Sequence, residues 1–225
     1  VVVSKQRSVF DIVGPVMIGP SSSHTAGAVR LGALARAIVG QRPKDAVIVL
    51  HGSFATTGTG HGTDLALVAG LLGMAPDDGR IPNAFEEARA SGMTFEFTTD
   101  DLGDVHPNTV MFVLDTGASE PLIVRGASLG GGSVIINRIG DYSLELRGDY
   151  PTLIVGHIDR PGQISRISGF LAEEQVNIAE MRVARTKKGA DAIMLLECDT
   201  EVSAETVARI LALDGVLNVR AVPKI

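Results

Sequence analysis

The chain has 225 residues, 45% of them hydrophobic and 20% charged, with a formal net charge of −6. That length suits one large domain or two modest ones with a substantial core. With no basic stripe and only 4% aromatic residues, it lacks the phosphate contacts and stacking platforms of nucleic-acid binders, and no apolar run approaches the roughly 20 residues of a membrane-spanning helix. A single cysteine, Cys198, excludes an intrachain disulfide and cannot alone hold an iron–sulfur cluster or a structural zinc; it reads as a small core residue at a strand end. The start, Val1–Arg7, is too short in apolar length for a signal peptide and lacks an initiating Met, so a trimmed start and a cytoplasmic location are expected.

The first informative stretch is Gly19-Pro20-Ser21-Ser22-Ser23-His24-Thr25, opening into the apolar run 26–39. Ser22 or Ser23 is the expected N-cap. Hydroxyls and free N–H groups gathered at a helix start suit a carboxylate or phosphate, and the positive helix end favours a neutral His24, able to accept a proton. An ordinary Ser-capped helix with a surface histidine fits the same residues. Within the helix, Leu31, Leu34, Ala35 and Ile38 form an apolar stripe, while Gly27 and Gly32 predict the close approach of another backbone. Arg30 stands one turn in, either reaching an anion at the helix start or solvated. Gly40 and Pro43 end the element.

A buried strand is predicted over 46–51, then a hydroxyl-rich flexible turn over 52–62, then a helix over 63–74 capped by Thr63. The turn lacks a Walker lysine and the dinucleotide glycine spacing, so nucleotide binding is rejected. Further along come a short helix over 84–90 and strands over 94–98 and 110–115. The second of these strands is entered through His106-Pro107-Asn108-Thr109, a junction fit for function or for plain turn chemistry. A strand over 122–125 is expected to end at the glycine-rich 126–132, followed by a hairpin of 133–139 and 142–146 about Gly140-Asp141. After Gly148–Pro151 the order becomes strand, helix, strand, strand, helix, strand, the ferredoxin-like split unit, with Lys188-Gly189 joining the middle strands. The fold class is therefore α/β (α+β), divided into 1–148 and 151–225.

Two groups of residues carry resemblances. His157-Ile158-Asp159-Arg160-Pro161-Gly162-Gln163-Ile164 with Val176-Asn177-Ile178 resembles an ACT domain. Such domains often bind an amino acid between the first strand's end and a neighbouring copy. This implies effector contacts at Asp159, Gly162, Asn177 and Ile178, or a homo-oligomer held through strand edges. The first 150 residues resemble the beta subunit of iron–sulfur-dependent L-serine dehydratases. The residues concerned are Phe10–Pro15, Ile18–Thr25, Gly52-Ser53-Phe54-Ala55, Gly60-His61-Gly62-Thr63-Asp64 and His106–Thr109. The first part is also similar to the allosteric substrate-binding domain of some phosphoglycerate dehydrogenases.

The resemblance implies a lyase subunit that forms pyruvate and ammonia from L-serine. It also implies a [4Fe-4S] cluster held by the cysteines of a separate alpha subunit, with no metal ligand in this chain. Cluster iron would act as a Lewis acid on the serine hydroxyl, while a neutral base takes the alpha proton and donors hold the carboxylate. His24 is the first candidate for proton transfer, with His61 and His106 as rivals. Ser21, Ser22, Ser23, Thr25 and Asn108 are candidate substrate contacts. A non-catalytic serine-sensing module is the competing reading. A hydrolase using Ser23 and His24 is rejected, because adjacent turn residues rarely face one another and no acid is placed to orient the imidazole.

Overall fold

The computed structural model describes residues 15–225; the Val1–Arg7 start and the Phe10–Gly14 part of the resemblance lie outside the described residues. A turn of π-helix, Ser22–Ala26, leads into α1 (Gly27–Val39). Then follow β1 (Asp45–Leu50), α2 (Gly52–His61), α3 (Thr63–Leu72), α4 (Ala84–Ala90) and β2 (Thr94–Thr99). The strands β3 (Thr109–Asp115), β4 (Leu122–Gly130), β5 (Ser133–Ile139) and β6 (Tyr142–Leu146) complete the first part. They build a six-stranded sheet of order β2-β1-β3-β4-β5-β6. Among the described residues only the β1–β2 pair is parallel, as its connection through α2, α3 and α4 allows; the other pairs of this sheet are antiparallel.

The second part contains β7 (Thr152–Ile158), α5 (Gln163–Glu173), β8 (Ile178–Arg185), β9 (Asp191–Cys198), α6 (Ala204–Leu211) and β10 (Val216–Val222). Its antiparallel sheet has the order β10-β7-β9-β8, the ferredoxin-like arrangement predicted. Strand alternation gives this sheet two apolar faces. Leu153, Val155, Met194 and Leu196 pack with Ile167 of α5 and Ile210 of α6. Ile154, Ile193, Leu195 and Val222, on the other face, join one continuous cluster with α1, α3 and the first sheet. Cys198 is buried in the former cluster, as expected.

The apolar stripe of α1 is wholly buried, and its Gly32 meets Gly70 of α3. A Cβ on Gly32 would stand 2.4 Å from the Leu67 carbonyl oxygen, and one on Gly70 would stand 2.1 Å from that of Val29. Two helix backbones touch here because neither carries a side chain.

Several expectations are corrected. Residues 52–62 form no flexible turn: Gly52–His61 is helix α2, anchored by the fully buried Phe54 and by the Ser53 amide donating to the Pro107 carbonyl at 2.8 Å. Tertiary packing overrides the low helix propensity of glycine here. Ser21, rather than Ser22 or Ser23, is the cap, accepting from the His24 amide at 3.2 Å. Thr63 does not cap its helix; the left-handed Gly62 precedes it. β4 continues through Ser128 to Gly130, since β5 pairs with it along that length. Arg30 is half-buried rather than solvated: it donates to the Gly132 carbonyl at 2.7 Å and the Ile225 carbonyl at 2.6 Å, with the Asp149 carboxylate 4.0 Å away. No described helix is long and apolar enough to cross a membrane.

Candidate active site

The site is built where the π-helical turn meets α2. A widened helical turn is frequent at functional positions, and this one places the half-buried His24 against the hydroxyl face of α2. Ser53 and Thr57, four residues apart, project from the same side of that helix. His24 Nε2 lies 3.2 Å from Ser53 Oγ and 3.1 Å from Thr57 Oγ1, and the two hydroxyls are 3.3 Å apart. Thr57 Oγ1 also donates to the Ser53 carbonyl at 2.8 Å. The rings of Phe54 and His24 meet in a T-shaped contact, with centroids 5.3 Å apart.

His61 closes α2 one turn beyond Thr57, its ring centroid 5.0 Å from that of His24. It is exposed, and its Nδ1 stands 2.9 Å from the Thr57 carbonyl oxygen. Thr25 is buried beneath the pair, its hydroxyl reaching the His61 carbonyl at 3.5 Å. Gly19 covers Thr25 so closely that a Cβ there would sit 2.4 Å from the threonine methyl. Burial lowers the basicity of His24 first, and the neighbouring charge of His61 lowers it further. A hydrogen bond with the Ser53 backbone opposes both. Its imidazole thus stays neutral at lower pH than an ordinary one.

Of the predicted residues, the structure brings His24, His61, Ser21 and Thr25 together, with Ser22 and Ser23 half-buried in the same turn. His106 is exposed and bonds back to its own loop, its Nδ1 accepting from the Asn108 amide at 3.1 Å. That loop touches the site through the Pro107 carbonyl at the start of α2, where a Cβ on Gly52 would meet it at 2.6 Å. Asn108 donates to the Ser128 carbonyl at 3.4 Å. Ser128 is fully buried against Gly27, and its hydroxyl has no hydrogen-bond partner among the described residues.

Ser53 and Thr57 were missed by the sequence reading. Their four-residue spacing was visible, but it carries meaning only on a helix, and the glycines of 52–62 argued for a turn.

The four ACT-type residues do not meet within one chain. The Asp159 carboxylate follows β7 and is taken up by Arg185 at 2.7 Å and the Gly189 amide at 3.0 Å. Gly162 caps α5 at the same end of the sheet. Asn177, which donates to Asp199 at 2.7 Å, and Ile178 stand at the opposite end, because β8 starts where β9 finishes. The length of β9, eight residues, separates the two pairs by about 23 Å at the usual rise per strand residue.

Among the described residues, no group of three or more His, Cys, Asp and Glu side chains is placed to hold a metal ion. Cys198 does not suit a cluster ligand: it is wholly buried, and burial pushes its thiol up to about 11, whereas iron binds the thiolate.

A two-sheet α/β protein with a ferredoxin-like second sheet and a paired-histidine site is the class that fold and site define, and residues 152–215 match the ACT domain. Residues 8–138 match the family described as serine dehydratase beta chain, and the chain belongs to that family. It is 41% identical over 215 residues to the "Probable L-serine dehydratase, beta chain" of Bacillus subtilis, covering 96% of this chain and 97% of the relative. It is 39% identical over 208 residues to the "L-serine dehydratase, beta chain" of Peptoniphilus asaccharolyticus, covering 92% and 94%. A D-3-phosphoglycerate dehydrogenase of Synechocystis is 27% identical over 187 residues, which cover 83% of this chain and 34% of that protein.

Proposed function

We propose that the chain is the beta subunit of an L-serine ammonia-lyase, working with an alpha subunit to form pyruvate and ammonia from L-serine. One observation carries the reading. A near-full-length relative of L-serine dehydratase beta chains holds His24, its proton affinity lowered by burial, against a hydroxyl pair. His24 is the group that moves the alpha proton. Ser21–Ser23 and Thr25 form the turn that receives the amino-acid carboxylate, and His61 flanks the base. His106 and Asn108 set the loop beneath α2. The [4Fe-4S] cluster belongs to the alpha subunit, since this chain offers no set of thiolates for it. The protein works in the cytoplasm, with 1–148 carrying the site and 151–225 binding an effector or pairing two copies of the chain.

Reconstitution with the alpha subunit and an iron–sulfur source, assayed for pyruvate, tests the reading. His24→Gln should cut turnover by 10²-fold or more, the usual scale for losing a general base, while the subunits still assemble. Unchanged turnover, or pyruvate made by this chain alone without iron, overturns it.

The similarity to D-3-phosphoglycerate dehydrogenases supports a second reading, a serine-sensing module without catalysis. It predicts that the isolated chain binds serine in calorimetry and that His24→Gln leaves the complex active. Asp159 and Gly162 lie far from Asn177 and Ile178, so an effector site using all four takes two copies of the chain.

A further inference from the structure

The hydrogen-bond arithmetic around Thr57 determines more than which groups are close. A hydroxyl has one proton to give. Thr57 Oγ1 lies 2.8 Å from the Ser53 carbonyl oxygen, which can only accept, so the threonine proton is committed there. Toward His24 Nε2, at 3.1 Å, Thr57 Oγ1 therefore presents a lone pair. A ring nitrogen facing that lone pair must carry its own proton. Ser53 Oγ completes the set by giving its proton to Thr57 Oγ1 and sharing the Nε2–H. With the other tautomer, two lone pairs would oppose each other at 3.1 Å. At His61 the partner is the Thr57 carbonyl, 2.9 Å from Nδ1, so Nδ1 is the protonated nitrogen there.

We propose that Thr57 is a positioning residue that fixes His24 and His61 in opposite tautomers, leaving Nδ1 of His24 and Nε2 of His61 as the two free lone pairs of the site. The side chain of Thr57 orients one ring and its main chain the other. An uncharged orienter differs from the carboxylate that usually backs a catalytic histidine. It holds the ring without adding a negative charge that would raise its basicity, consistent with the lowered proton affinity of His24. In the lyase reading, on which only this step rests, the proton leaving the substrate carbon arrives at His24 Nδ1. The Nε2–H bond to Thr57 persists in the imidazolium, so the ring need not turn.

Long-range ¹H–¹⁵N correlation spectra of the full chain labelled at histidine test the assignment without partner or substrate. His24 should show the pattern of a proton on Nε2, and His61 that of a proton on Nδ1. Thr57→Val should shift the His24 pattern toward the other tautomer and leave His61 as it was, because the carbonyl remains; Thr57→Ser should restore His24. The His51 and His157 signals report whether the variant is folded, and if it is not, the wild-type spectrum decides alone. A wild-type His24 protonated at Nδ1, or a folded Thr57→Val whose His24 is unchanged, overturns the proposal.

In the reconstituted complex, Thr57→Val should lower kcat by about 10-fold or more, with Thr57→Ser close to wild type; equal turnover of all three overturns the positioning role. A wild-type complex that forms no pyruvate overturns the lyase reading and leaves the tautomers standing.

Discussion

Gly70→Ala asks whether the site depends on the contact between α1 and α3. The added Cβ would fall 2.1 Å from the Val29 carbonyl oxygen and 2.8 Å from both the Ala33 nitrogen and the Gly32 Cα. All three are backbone atoms of α1, so no rotamer change relieves them, and the helices must part before contacts reach the 3.0 Å that real Cβ atoms require. Alanine gains up to about 1 kcal/mol of helix propensity over glycine. Overpacking costs about 1–3 kcal/mol when side chains can yield, and here they cannot. We expect a net loss of about 1–3 kcal/mol, read as a lower urea midpoint at unchanged slope. Gly169→Ala is the control. It lies in α5 with no atom within 4 Å of the new Cβ, so it should stabilise by about 0.5–1 kcal/mol. Because α1 follows His24 and α3 follows His61, parting the helices should also change the 5.0 Å ring separation. A Gly70→Ala chain as stable as the wild type, alongside a stabilised Gly169→Ala, refutes the reasoning.

Ser21→Ala removes the acceptor for the His24 amide and should cost about 1 kcal/mol in thermal unfolding, with Ser21→Asn retaining most of it. Native Cys198, wholly buried with its thiol pushed up to about 11, should resist thiol reagents at mildly alkaline pH and react once the chain unfolds; rapid labelling of the native chain contradicts this burial. His24 binds its proton less tightly folded than at its ordinary value of 6.5. Between the lowered value and 6.5 the unfolded chain carries more protons, so stability should rise with pH across that interval, with the penalty fully present below it. His24→Gln should flatten that part of the curve, and an unaltered pH dependence in this variant counts against the burial of the ring.

The ferredoxin-like half was legible because its strands alternate or run apolar, its helices carry a 3.6 period, and Lys188-Gly189 marks the turn between middle strands. Gly32 was legible for a different reason: a glycine inside an apolar helical stripe is costly unless something presses on it, and Gly70 does. The site was half legible. His24 and its serines could be read as a capped helix start, but the surface facing them could not. The glycines at 52, 58, 60 and 62 weaken local helix propensity, and α2 is held by tertiary contacts that the sequence does not show: Phe54 buried below, Pro107 at the N-terminus and His24 against its hydroxyl face. The sequence places Asp159 and Gly162 after one strand and Asn177 and Ile178 before another, but only the antiparallel course of β8 and β9 shows that the two pairs stand at opposite ends of the sheet.

The apolar face that Ile154, Ile193, Leu195 and Val222 share with α1 makes the small sheet a buttress rather than a pendant. Lifting it away would wet both halves of the shared core at once. Strain placed on the small sheet is shared, through the same packed side chains, with the helix that continues from the turn bearing His24.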